Sequence, residues 1–403
     1  MDAVDMRDGI PEVFCITAPC RRERFDWEGK ISTVLFYGDA SSLVFLLAKP
    51  FIWEEEDEPE TMNLAQDASG LGVEPQAIEY QPRSPILEMP HEIYGCIFET
   101  LDVQSIFNFG LTCQELWPVA KYFIKSRFKK VLGIWAGVPL ICPGCDHPKG
   151  ENSYPTGVLS SSAEEELKKG LRVGEPGFSG QMFHIPGHEE IVNRYYKTNL
   201  FRLAIKRYRM LPLVDDAVQT MIEVSETTGP YRPKDMFRIV RPTPAMFYPL
   251  NEKWILRNLT TRQFVRAEAI ALKPEYIQGP LIKILGFGEV IISKTCWSDH
   301  GDTWVNYPVN KGPWAGHSFD VVPLSKLKDG GIWEDISLNI AAELRRMCRL
   351  QYGDDWFEKL IHRFERKCMD PWGRWREETL WETFQRQAKQ SSQGFFGFFR
   401  KKN

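Results

Sequence analysis

The chain has 403 residues, 50 Lys and Arg against 54 Asp and Glu, and a net charge of -4. Its 43% hydrophobic and 26% charged residues are the balance of a folded protein and exclude disorder over most of its length. The slight acidity gives no overall attraction to phosphate, so a nucleic-acid partner is not expected.

Residues 1–83 form an N-terminal region with two apolar runs, ISTVLFYG (31–38) and SLVFLLAKPFIW (42–53), that read as strands around a turn at Asp39. The acidic EEEDEPE (54–60) and the Gly-, Gln- and Pro-rich stretch after it read as a flexible linker. MDAVDMRDG lacks the basic and apolar regions of a secretory signal, and LVFLLA (43–48) falls far short of the ~20 residues that span a bilayer. Nine scattered cysteines read as reduced thiols. The expectation is a cytoplasmic or nuclear protein with no transmembrane segment.

Residues 84–130 read as three short helices. Pro90 suits a first turn, and Ile93, Ile97 and Leu101 then share one face with Phe98 beside them. A second helix follows Asp102. Thr112 and Glu115 form a capping box for a third, with Leu116 and Trp117 just inside and Pro118 placed to kink or end it. A unit of ~40 residues cannot bury so many apolar side chains by itself, so another domain or another chain must cover the excess.

Residues 131–188 read as an irregular linker or long loop with a short helix at EEELKKGL. Cys142-Pro-Gly-Cys145 together with His184 and His188 has the residue types of a tetrahedral zinc site. Pro186 and Gly187 keep the two histidines off one helical face, and the pairs are far apart in sequence. They read as ordinary loop thiols, with no metal or cofactor expected.

Residues 189–385 read as an α+β domain with a mainly antiparallel sheet. EEIVNRYYKTNLFRLAIKRYRML has helical spacing, with Arg194, Lys197, Arg202, Lys206, Arg207 and Arg209 reading as a solvated basic face. KWILRNL (253–259), RQFVRAEAI (262–270), GEVIISKTCW (288–297) and HSFDVVPL (317–324) read as strands. Gly286 and Gly288 lack the third glycine of a dinucleotide fingerprint and read as a bend or bulge. Helices at WEDISLNIAAELRRMCRLQYG and WFEKLIHRFERKC close the domain. Residues 386–403 form a flexible aromatic and basic tail ending in GFFGFFRKKN, an accessory contact or a strap.

Met89-Pro90, Glu92-Ile93, Ile97-Phe98, Leu101, Cys113 and Trp117 follow the order and spacing of the F-box motif, with Met in place of Leu at 89. The segment resembles an F-box over about one tenth of the chain. WILRNLTTRQFVRAEAIAL, GFGEVIISKTCW and GPWAGHSFDVV look like the region after the F-box in fungal F-box proteins. The resemblance implies an α+β chain in which a three-helix F-box binds a Skp adaptor and, through it, a cullin and RING subunit, while the following domain selects a protein substrate for ubiquitination. It assigns Met89, Pro90, Ile93, Ile97, Phe98, Leu101, Leu111 and Trp117 to the Skp contact or its shaping. The expected chain is a non-enzymatic adaptor. The alternatives are an F-box-like scaffold outside a ubiquitin ligase and, third, an enzyme with an unrecognised site. Turn-rich loops in the C-terminal half make Trp297, Trp304 and Trp314 the candidate substrate-binding residues. Trp304 leads because Asp302, Thr303 and Asn306 surround it with polar groups.

Overall fold

The structure, a computed structural model, describes residues 13–27, 31–37, 40–50, 89–145, 153–178, 194–211, 236, 239, 247–299, 310–329 and 331–368. The acidic run at 54–60 and the tail lie outside them. The chain is mixed α+β and divides into two compact units, one of Met1–Pro50, Leu132–Leu213 and Pro244–Asn403, the other of Phe51–Val131 and Val214–Thr243. The first unit therefore takes in much of the N-terminal region and of the 131–188 segment, well beyond the 189–385 expected from the sequence.

Its centre is a four-stranded sheet in which Phe319–Pro323, Trp254–Asn258, Gln263–Arg266 and Glu334–Asp335 lie side by side in that order. In the same order these are β12, β7, β8 and β13. The β12–β7 and β7–β8 pairs are antiparallel, with Val321 opposite Leu256 and Leu256 opposite Val265, and the short β13 runs parallel to β8. On the β12–β7 pair Arg257 grips Asp320 with both arms, at 2.9 and 2.8 Å, and its guanidinium lies 5.1 Å from the Trp333 ring. This geometry favours arginine over lysine.

Both N-terminal runs read as strands are helices: α1, Ile31–Tyr37, and α2, Ser41–Leu47. Leu43 to Ala48 are all at most 1% exposed, so no polar face marks the helical period, and a short all-apolar run does not distinguish strand from helix. GEVIISKTCW is likewise the helix Phe287–Thr295 followed by the two-residue strand β11, Cys296–Trp297. Gly286 is its N-cap and donates its N–H to the Glu289 carboxylate at 2.8 Å. RQFVRAEAI splits into β8 and the helix Ala267–Ile270, the Arg266 N–H turning to the Ser337 hydroxyl at 2.9 Å. The closing helices are Ser337–Tyr352, stopped by Gly353 at φ 84°, and Trp356–Cys368, as the sequence indicates. Ile340, Ala341, Leu344, Met347 and Cys348 line the buried stripe of the first.

A second sheet joins β1, Cys15–Ala18, β2, Glu23–Asp26, and β6, Arg209–Met210, in that order. Beside it α6, Ser161–Lys169, and the helix Leu200–Arg207 close a cluster around Tyr154, Leu167, Leu200, Leu203 and Tyr208. Among the described residues, which resume at 194, the helix expected from 189 begins at Leu200, where Asn199 caps it by accepting the Arg202 N–H at 3.0 Å. Tyr195–Tyr196 instead form β5, paired antiparallel with β4, Leu171–Arg172.

Glu23 is 4% exposed and takes three donors: Trp135 Nε1 at 2.8 Å, Arg209 at 2.6 Å and Arg21 at 3.2 Å. A carboxylate this buried is tolerated because both oxygens are engaged.

His317 gives the fold a pH response. Asn258 Oδ1 accepts the N–H groups of Thr260 and Thr261 at 3.1 and 3.3 Å, which turns its Nδ2 to donate to His317 Nδ1 at 2.9 Å. The ring nitrogen must then be an acceptor, and burial holds the imidazole below its ordinary value near 6.5. The unfolded chain takes up the proton first on acidification, so this stabilisation is present above pH ~6.5 and declines as pH falls through that value toward the folded pKa. Melting at pH 7.5 and 5.5 is expected to show a smaller acid loss for His317→Gln than for the native chain. Equal losses would mean that His317 is not the group responsible.

Candidate functional site

In the second unit the described helices are α3, His91–Thr100, α4, Val103–Gly110, and α5, Leu116–Val131. Pro90 stands at the N-cap of α3, one position before the first turn. Asp102 caps α4 by accepting the Ser105 N–H at 2.7 Å, a bond that holds its carboxyl below the usual range. The Thr112 and Glu115 capping box does not form. The Thr112 hydroxyl donates back to the Phe109 carbonyl at 2.6 Å, and α5 begins only at Leu116. Pro118 therefore falls in the first turn of α5, where a missing N–H costs nothing, and the helix runs on to Val131 without being ended.

Aromatic packing closes the inner side of this unit. Phe98 is fully buried, stacked on Phe123 at 5.3 Å and tilted against Phe109 at 5.3 Å, while Phe107 meets Trp117 edge-on at 5.8 Å. A Cβ on Gly110 would stand 2.3 Å from that of Ala120, so glycine is what lets α4 and α5 approach. Arg127 donates to the carbonyls of Glu99 and Leu101, completing the C-terminal end of α3 with a cation.

Burial sorts the eight residues that the F-box resemblance singles out into two sets. Phe98, Leu111 and Trp117 are core, at 0, 7 and 3% exposure. Ile93 is 43% exposed, Pro90 is exposed, and Met89, Ile97 and Leu101 are half-buried. Tyr122, which the motif does not single out, is 48% exposed on α5. An apolar residue breaking the polar side of a long helix was the signal available for it.

The tryptophans of the other unit fall differently from expectation. Trp314 is buried at 6% against Phe319, 5.8 Å between rings, and does not project from the loop. Trp297 is half-buried on β11, its Nε1 donating to the Ser153 carbonyl at 2.8 Å and its ring packed on the Tyr154 cluster. Trp304, Asp302, Thr303 and Asn306 lie outside the described residues. The buried face that the strands and helices share accounts for both described rings; glycine and proline nearby mark turns without deciding which way a large ring points.

Cys142 is fully buried on β3, Cys142–Pro143, paired parallel with β11 so that it stands opposite Cys296. Cys145 accepts the Val13 N–H on its sulfur at 3.3 Å. His184 and His188 lie outside the described residues, among which no three His, Cys, Asp or Glu side chains gather as metal ligands. No described helix is long and apolar enough to cross a membrane.

Comparison of the chain with protein-family models, with curated proteins and with solved structures finds no match. The class that the fold itself defines is a mixed α+β chain with a discontinuous larger unit and a helical smaller one.

Proposed function

We propose that the chain is an F-box protein, the non-catalytic adaptor that holds a protein substrate in a Skp, cullin and F-box ubiquitin ligase. The observation that carries this reading is the combination of motif and exposure in residues 89–117. The motif's rings Phe98 and Trp117 close a core, while Pro90 and Ile93 are exposed and Ile97 and Leu101 half-buried along α3 and its two caps, an apolar edge for a partner to cover. Skp docks on that side of α3, and Phe98, Leu111 and Trp117 shape the surface from beneath. The larger unit carries the substrate, and the adaptor's work is to raise the substrate's effective concentration at the transferring enzyme.

The Ile97→Asp and Leu101→Asp double variant tests this. Both positions are half-buried, so the unit is expected to fold, while each carboxylate placed in a desolvated contact costs several kcal/mol, about 2 or more apiece. Co-precipitation with Skp should be lost. Undiminished capture by a folded double variant would remove the F-box reading.

A further inference from the structure

The basic run that begins at Arg194 divides into two populations. Lys206 pairs with Glu175, Arg207 with Glu166 at 3.2 Å and Arg209 with Glu23 at 2.6 Å, so these cations hold the fold together. Arg194 and Lys197 do not join them. They flank β5, whose pairing with β4 sets Tyr195 opposite Arg172 and Tyr196 opposite Leu171, next to Lys168 and Lys169 at the end of α6. All five cations are exposed, and among the described residues Lys168, Lys169, Arg194 and Lys197 have no carboxylate partner. Arg172 has only Glu175 at 3.7 Å, a carboxylate already held by Lys206.

The aromatics organise this charge. Lys169 Nζ lies 5.2 Å and Arg172 Cζ 5.1 Å from the centre of the Tyr195 ring, which is 36% exposed, and Arg194 lies 5.9 Å from Tyr196. Two cations gathered on one ring repel each other, and an anion set between them relieves that repulsion while gaining contacts to both. We propose that the β4–β5 strand pair docks an acidic peptide segment of a partner protein, its carboxylates meeting Lys169, Arg172, Arg194 and Lys197 and its backbone crossing Tyr195. The patch is a compact cluster on one strand pair, with the exposed Glu165 on the adjoining helix, which suits a short acidic segment better than the continuous track of a nucleic-acid backbone. The inference rests on the adaptor reading only in identifying the partner as the substrate.

The test is fluorescence anisotropy of a labelled peptide rich in Glu and Asp with the full chain, native and as Arg172→Glu with Arg194→Glu. Saturable binding that weakens as salt rises is expected, with a loss on the order of tenfold in the double variant. The melting midpoint should not move, since both side chains are exposed. Absence of saturable binding by the native chain, or equal binding by the variant, overturns the proposal. Tighter binding of a labelled single-stranded RNA than of the peptide also overturns it and makes the strand pair a nucleic-acid surface. Skp capture measured on the same two proteins separates the readings: capture retained with peptide binding lost supports the strand-pair site, whereas a native chain that binds peptide without capturing Skp leaves that site standing and removes the adaptor.

Discussion

Gly288→Ala is expected to lower the stability of the larger unit by about 3 kcal/mol, the upper end for overpacking a filled core, and its melting midpoint by roughly 10 °C. A Cβ at this position would stand 2.0 Å from the Ala40 carbonyl oxygen, 2.6 Å from the carbonyl carbon and 2.9 Å from the Ala40 Cβ. Backbone cannot swing aside as a lysine tip can, so the helix Phe287–Thr295 and Ala40 must separate, and residues 287–292 and Ala40 are all buried. Gly95→Ala is the matched control. Nothing lies within 4 Å of its Cβ, and alanine there should stabilise α3 by about 0.5–1 kcal/mol. A Gly288→Ala chain that melts with the native one would show that the helix and the Ala40 turn are not in contact.

Trp135→Ala is expected to cost about 4 kcal/mol, and more than Glu23→Ala. The indole is fully buried, its backbone N–H donates to the Leu46 carbonyl at 2.7 Å, and its removal leaves a large cavity beside a carboxylate that has lost a donor. Glu23→Ala strands less. Arg21 and Arg209 have 39 and 65% exposed side chains and can turn to water, which leaves Trp135 Nε1 as the buried donor without a partner, a cost of about 1–3 kcal/mol. Trp135→Phe keeps most of the volume and should fall between the two. Equal losses for Glu23→Ala and Trp135→Ala, measured by denaturant unfolding, would mean that the charge network and not the ring holds this region.

Strands β7 and β12 and the two closing helices were legible because each follows a clear local rule. Trp254, Ile255 and Leu256 lie in a β-rich run bounded by turns, and Ile340, Leu344 and Met347 recur at helical spacing. The helices α1, α2 and Phe287–Thr295 were not, since unbroken buried runs such as 43–47 and 287–292 leave little of the polar stripe by which a helix is recognised. The cap at Asn199 was missed for a different reason. Arg194 through Arg209 has apolar residues at helical intervals, and only the chain's pairing with Leu171–Arg172 shows that Tyr195 belongs to a strand. The unit's discontinuity was equally hidden: Ile141 exchanges backbone bonds with Thr17 at 2.8 and 3.1 Å, a pairing across a sequence distance that local rules do not reach.

The candidate site was legible as a pattern and less so as a surface. The spacing of Ile93, Ile97, Phe98 and Leu101 gives a helix with an apolar side, but burial divides that side: Phe98 is fully buried against Phe123 of α5 while Ile93 is 43% exposed, a difference that depends on where α5 packs and not on spacing. In the same way, the sequence shows that the 194–209 stretch is basic without showing which cations are neutralised, since Glu23, Glu166 and Glu175 come from remote elements.

The most direct test of the adaptor account is a calorimetric titration of purified Skp into the full chain. The account predicts a saturable one-to-one complex that co-elutes on gel filtration and loses its heat signal in the Ile97→Asp, Leu101→Asp variant. No binding heat and separate elution of the two native proteins would contradict it.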